Sequence, residues 1–140
     1  MSTISFIGLA EMLQEAGFAP GTSTVNGCSI VCAESGRNPL AKHVNTDGSI
    51  DRGLWQINDK AHPDVTDQAA YDPVQATAAA FSISHQGTDY GAWSTWNNGA
   101  YKPHVEASTV ANAAVAAIAK ATKATASLQA KIAAAKAALG

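Results

Sequence analysis

The chain has 140 residues, 46% of them hydrophobic and only 14% charged, with a formal net charge of −2 at pH 7. That length and apolar content suit one folded domain with some chain to spare and set disorder aside as the default state. Near-balanced charge without a lysine or arginine cluster argues against nucleic acid as the main partner, and no apolar run reaches the ~18–20 residues of a membrane span.

The N-terminal stretch MSTISFIGLAEMLQEAG has neither a basic start nor an uninterrupted apolar run ahead of a cleavage site, so it reads as made in a cytoplasm without a signal peptide. Ile4, Ile7, Met12, Leu13 and Ala16 predict the apolar face of a helix over 3–17, with Glu11 and Glu15 on its polar side. Gly17 stops that helix and Phe18 folds back onto it. After the Pro20-Gly21 turn, Thr22 or Ser23 caps a second helix whose inward residues are Val25, Cys28, Val31 and Cys32. Two cysteines four apart on a helix are in poor geometry for a disulfide, and they read as small buried hydrophobes.

The second helix ends at Ser35-Gly36, and Asn38-Pro39 prevents its continuation. Glu34 therefore occupies the last turn, where the negative end of the helix dipole disfavours the ionised carboxylate. Partial burial would push it the same way, towards the protonated state that a general acid needs. Taken alone, Glu34 would be a helix-end carboxylate paired with Arg37 or Arg52. Asp47-Gly48 is a two-residue hairpin signal of type I′, which predicts short antiparallel strands over 42–46 and 49–54. Asp51 lies on the return strand, and Gly53 marks a bend or a close backbone approach. Two carboxylates facing each other across a cleft can break a glycosidic bond: one protonates the leaving oxygen, the other stabilises or attacks the cationic sugar carbon.

Residues 59–71 are polar and turn-rich and read as a loop with a single helical turn. Asp72-Pro73 caps a helix that runs to about Ser84, with Val74, Ala78, Ala80 and Phe81 facing inward, and His85-Gln86-Gly87 ends it. The aromatic, glycine-rich stretch that follows places Trp93 and Trp96 one turn apart. His43, His62, His85 and His104 share no metal-ligand spacing, so neither a metal nor a cofactor is expected.

From Glu106 the composition turns alanine-rich, without internal proline or glycine, up to Leu139. A seven-residue frame puts Ala111, Ile118, Thr125, Ile132 and Leu139 on one seam position and Ala114, Ala121, Leu128 and Ala135 on the other. This predicts a long helix that assembles with other helices, packs on the domain, or serves as a solvated linker. The expected division is 1–105 as one domain and 106–140 as an assembly or linker helix.

The block AESGRNPLAKHVNTDGSIDRGLWQIN (residues 33–58) resembles the active-site helix and hairpin of the lysozyme superfamily. The likeness to c-type lysozymes rests on Glu34-Ser35, Asn45 to Ser49, Asp51, Gly53 and Gln56-Ile57-Asn58. The chain is also similar to soluble lytic transglycosylases, through Glu34-Ser35, Gly53 to Ile57 and the Trp96-Asn97-Asn98-Gly99 block. In that block a tryptophan stands where those enzymes carry a tyrosine. The first resemblance implies Glu34 as general acid and Asp51 as nucleophile or ion stabiliser. The second implies a single glutamate, with the substrate's own hydroxyl closing on the sugar carbon. Both imply a mainly helical α+β, lysozyme-like fold with a small β-hairpin subdomain, and peptidoglycan as the substrate. Ser35, Gln56, Asn58, Trp93, Trp96, Asn97 and Tyr101 are the expected substrate contacts. An indole from Trp93 or Trp96 is expected behind Glu34, where it would desolvate the carboxyl. The eight-cysteine framework of the animal enzymes is missing. The chain looks more like wall-degrading domains that phages of actinobacteria carry on tail or virion proteins, with 106–140 available for self-association or for other virion proteins.

Overall fold

The computed structural model describes residues 3–140. Helices α1 (Phe6–Ala16) and α2 (Thr22–Ser35) are followed by strands β1 (Lys42–Val44), β2 (Ile50–Arg52) and β3 (Ile57–Asn58). Next come α3 (Asp67–Tyr71), α4 (Pro73–Ile83), α5 (Ser94–Asn97), a 3₁₀ turn (Lys102–His104) and α6 (Val105–Leu139). The fold is α+β and mainly helical, a lysozyme-like arrangement with a small antiparallel sheet at one end of α2 and a long C-terminal helix.

Ser5 caps α1 by accepting the Gly8 N–H, and Gly17 closes it in the left-handed conformation, φ 116°. Phe18 then folds back, its N–H donating to the Leu13 carbonyl. The inward face of α1 is the expected one in Leu13, which is buried, and in Ile4, Met12 and Ala16, which pack against the core. Leu9 and Ala10 are buried as well, whereas the expected Ile7 is 40% exposed. Helix α2 is buried nearly all round in its second half, and that erases any amphipathic stripe (Gly27 to Cys32 are all buried). Its N-cap is Gly21 and not Thr22 or Ser23, with no side chain in the capping role. The Gly21 N–H is satisfied from a distance by Asn112 Oδ1 at 2.9 Å. Gly27 lies under Leu13 and Trp55, where a methyl group would collide with the leucine.

Trp55 is the centre of the core. It is fully buried and stacks on Phe18 with ring centroids 5.7 Å apart, and its indole N–H donates to Thr77 Oγ1 at 3.1 Å. That hydrogen bond goes with an α4 face that adds Ala76 and Thr77 to the expected Ala80 and Phe81, while the expected Val74 is 61% exposed and Ala78 also faces out. A buried indole N–H needs an acceptor, and Thr77 supplies it while its own hydroxyl donates to the Pro73 carbonyl. The predicted Asp72-Pro73 start of α4 is present, with Asp72 Oδ1 accepting from the Gln75 N–H at 2.9 Å. Cys28 and Cys32 are free and buried, and burial raises their thiols to about 12 and about 11.

The hairpin forms where predicted, in the register His43 opposite Asp51, but its turn is longer than two residues. Asn45 and Ser49 close it (Asn45 N–H to Ser49 O, 2.8 Å) around Thr46-Asp47-Gly48, with positive φ only at Gly48. One left-handed residue after a right-handed turn makes a three-residue loop, not type I′. Asp47 Oδ1 stabilises it by accepting from both the backbone N–H and the hydroxyl of Ser49. The chain then adds β3, which the sequence reading did not anticipate, pairing Asn58 with Asp51 and Ile57 with Arg52.

The apolar core runs on past residue 105. Ser108, Ala111 and Val115 of α6 are buried against α1 and α2. A buried Ser29–Ser108 hydrogen bond of 3.0 Å joins α2 to α6. From Ala116 onwards α6 is exposed on every side. Among the described residues no helix is long and apolar enough to cross a membrane.

Candidate active site

Glu34 sits one residue before the end of α2, which points its carboxyl at the open side of the hairpin. Asp51 projects from the middle of β2, and both line one cleft of ≈ 170 Å³. The floor and walls include Gln56, Ile57, Asn58, Ala61 and His62 from the sheet side, and Ile83, Ala92, Trp93 and Ser94 from the other.

Glu34 is half-buried and pairs with neither arginine. The Arg37 guanidinium donates to the Ile4 carbonyl at 2.6 Å and lies 4.2 Å over the Phe6 ring. Arg52 is buried and donates to the carbonyls of Ile57 and Val65 and to Asp67 Oδ1. What meets Glu34 instead is the Thr95 hydroxyl, which donates to Oε2 at 2.9 Å. Burial pushes the Glu34 carboxyl above the ordinary glutamate value and the negative charge of Asp51 adds to that, while the Thr95 hydrogen bond works against them. The upward direction wins, so the group keeps its proton to higher pH than a solvent-exposed glutamate.

Asp51 is oriented by Asn58, whose side-chain amide donates to Oδ1 at 2.9 Å from the neighbouring strand. The same amide reaches Ser49 Oγ at 3.0 Å, and Asn58 Oδ1 caps the following turn by accepting from the N–H groups of Lys60 and Ala61. Gln56 adopts φ 51° at the β2–β3 bend, and its amide donates to the carbonyls of Ala41 and Gly53. Trp93 is buried and donates its indole N–H to the Trp55 carbonyl at 2.9 Å, fixing its ring as part of the cleft wall shared with Glu34.

The cleft therefore gathers Glu34, Asp51, Gln56, Asn58 and Trp93. Ser35, Trp96, Asn97 and Tyr101 do not line it. The Ser35 hydroxyl donates to the Leu54 carbonyl at 2.7 Å, locking the end of α2 to the hairpin return. Trp96 stacks on Tyr101 with centroids 4.4 Å apart, and Asn97 donates to the Gly91 carbonyl. Sequence reasoning missed Thr95, which stands between the two tryptophans it did single out, and it missed His62 as a wall of the cleft. Among the described residues no group of three or more His, Cys, Asp or Glu is placed to hold a metal ion.

A helix-end glutamate and a hairpin aspartate across one cleft match the arrangement that the motif implied. The sequence profile described as "lysozyme like domain" matches residues 10–95, more than half of the chain. The chain belongs to the lysozyme-like domain family. Among solved structures, the fold is similar to a crystal structure of lysozyme from Equus asinus, with a TM-score of 0.57 and 23% identity. That superposition covers 69% of this chain and 88% of the Equus asinus chain. No protein of curated function matches the sequence. The family match ends at Thr95, within α5, so α6 lies outside the matched stretch.

Proposed function

We propose that this lysozyme-like domain cleaves the β-1,4 bond between N-acetylmuramic acid and N-acetylglucosamine in bacterial peptidoglycan. One observation carries the reading: Glu34, its carboxyl shifted towards the protonated form, shares a cleft with Asp51, whose orientation is fixed by Asn58. Glu34 donates its proton to the glycosidic oxygen, and the bond to the sugar carbon breaks as the ring acquires positive charge. Asp51 stabilises or attacks that carbon from the sheet side, and water completes hydrolysis. The Asn58 amide holds Asp51 in place before charge develops, so little reorganisation is needed during the step. The reading extends to a phage-encoded wall-degrading domain acting from a virion or released to the wall. Its support is the resemblance of residues 33–58 and the exposed stretch of α6, which a free-standing enzyme would not need.

Glu34→Gln should abolish release of soluble muropeptides from purified walls while near-ultraviolet circular dichroism stays unchanged. Wall clearance by that variant would show that another group is the acid. Asp51→Asn separates the two routes. A muramidase should lose at least about 10²-fold, the scale typical of removing a group that acts on the transition state. Small loss with 1,6-anhydro products in the mass spectrum would make the chain a lytic transglycosylase instead. A wild-type chain that binds walls but gives no zone in a zymogram would make it a glycan-binding assembly module.

A further inference from the structure

Helix α6 leaves the domain at Ala116 and continues, fully exposed, to Leu139, a projection of roughly 35 Å at 1.5 Å per residue. Along it runs an uncovered apolar line: Ile118, Leu128, Ile132 and Leu139 are 50, 58, 46 and 89% exposed. At its domain end the same side of the helix opens into a largely apolar groove of ≈ 580 Å³ between α1 and α6, lined by Phe6, Ile7, Pro103, Ala107, Val110 and Ala114 together with the carboxylate-bearing Glu106. Val110 there is 65% exposed. Groove and line are one continuous face, because the seven-residue frame that includes Ile118 and Leu128 also includes Ala107 and Ala114.

We propose that this face pairs with the same face of a second copy of the chain, running antiparallel, with the copy's Leu139 seated in the groove beside Ala107. Two features of the face select that occupant and that direction. The first is size. Antiparallel helices pair one seam position with the other, so Ala107 meets the copy's Leu139, Ala114 meets Ile132, Ile118 meets Leu128 and Ala121 meets Thr125. Leu139 and Ile132 each face an alanine, Ile118 packs on Leu128, and the small Ala121 and Thr125 let the helices approach closely between them. A parallel pair would set Ile132 against Ile132 and Ala114 against Ala114, so no large side chain of the copy would reach the groove beside Ala107.

The second is charge. The charged residues of 116–140 are Lys120, Lys123, Lys131 and Lys136, all cationic. In a parallel pair Lys131 would flank the copy's Lys136 on both sides of the seam, a like-charge opposition that disfavours that register. Reversal places Lys131 beside the copy's Ala117. It also carries the copy's cationic C-terminal stretch past α1, where Glu11 and Glu15 stand next to Val115. The arrangement is a closed two-fold pair, since each copy gives one helix tip and one groove. It holds the two catalytic clefts at opposite ends of the helix pair.

Sedimentation equilibrium of the full chain tests this, together with cross-linking by a short bis-maleimide. The buried Cys28 and Cys32, with thiols raised to about 12 and about 11, stay unreactive. A dimer is expected, and Leu128→Lys should make it monomeric without altering near-ultraviolet circular dichroism. Ala114→Cys chains mixed with Ile132→Cys chains should cross-link, and Ile132→Cys alone should not. Cross-linking of Ile132→Cys with itself would establish a parallel pair and overturn the proposal. A wild-type monomer would overturn it too, whether the face then binds anionic vesicles, an acidic helical peptide or neither.

Discussion

At Glu34 opposing influences meet on one carboxyl: burial and the Asp51 charge favour the protonated form, and the hydroxyl of Thr95 favours the ionised one. The balance sets the pH at which the acid is lost. Thr95→Val keeps the side-chain shape and removes the donor, so the Glu34 value should rise further. The alkaline limb of the pH–activity profile should then move to higher pH, while Thr95→Ser restores the wild-type limb. A linked effect has a definite sign. A carboxyl raised on folding destabilises the protein above its folded value and costs nothing below its unfolded one. The loss of thermal stability in Thr95→Val should therefore be larger near neutral pH than near pH ~3, where the carboxyl is protonated in both states. Equal losses at both would mean that Thr95 does not act through Glu34. The two carboxylates were legible from the chain because their spacing around an Asp-Gly turn is local. Thr95 was not, because its partner lies 61 residues away and nothing beside it marks the contact.

At the scale of elements, the hairpin was readable and its continuation was not. The Asp47-Gly48 signal located β1 and β2, whereas β3 is two residues long, too short for an alternating pattern. It exists because the chain reverses at Gly53, where φ is 72° and the Ala70 and Pro39 carbonyls press close. Ile57 then supplies the carbonyl that Arg52 Nε–H needs at 3.0 Å. The inward faces of α1 and α4 were read only in part, missing Leu9, Ala10, Ala76 and Thr77, for a related reason. Alanine, threonine and glycine fill buried positions on helices whose larger residues are partly outside, so the apolar pattern reports only part of the side that meets the core. The sequence reading of Gly53 as a close approach leads to a graded prediction. Gly53→Ala combines a left-handed backbone with a methyl group driven into the Ala70 carbonyl, and should cost about 2–5 kcal/mol in urea unfolding. Gly48→Ala has the same backbone demand, φ 84°, but open space around it, and should cost only about 1–2 kcal/mol. Similar losses at both sites would show that the Ala70 contact gives way. The penalty at Gly53 should extend to activity, since it lies two residues from Asp51.

For the whole molecule, the question is where the folded unit ends within a helix that shows no break in sequence. The composition shift at Glu106 suggested a boundary there, and composition alone had no means to reveal that α6 is two things in succession. Its first turns complete the core through Ser108, Ala111 and Val115, and Asn112 accepts from Gly21 N–H and Gln14 Nε2. The remainder touches nothing in its own chain. Two truncations separate these parts. A chain ending at Ala116 keeps every buried residue of α6, and packing holds the remaining three turns although so short a helix would not persist alone. It should melt close to the full-length chain at matched monomer concentration, cleave soluble glycan at the same rate, and run as a monomer. A chain ending at His104 uncovers the faces of α1 and α2. Losing Val115, Ala111 and the Asn112 hydrogen bonds should remove about 3–5 kcal/mol, a large share of the 5–15 kcal/mol by which ordinary domains are stable. That chain should be largely unfolded or aggregated, with no sharp thermal transition. If it instead melts cooperatively near the full-length temperature, α6 is dispensable to the core and the folded unit does end at 105. If the Ala116 chain is the one that unfolds, the exposed stretch supports the domain through the second copy.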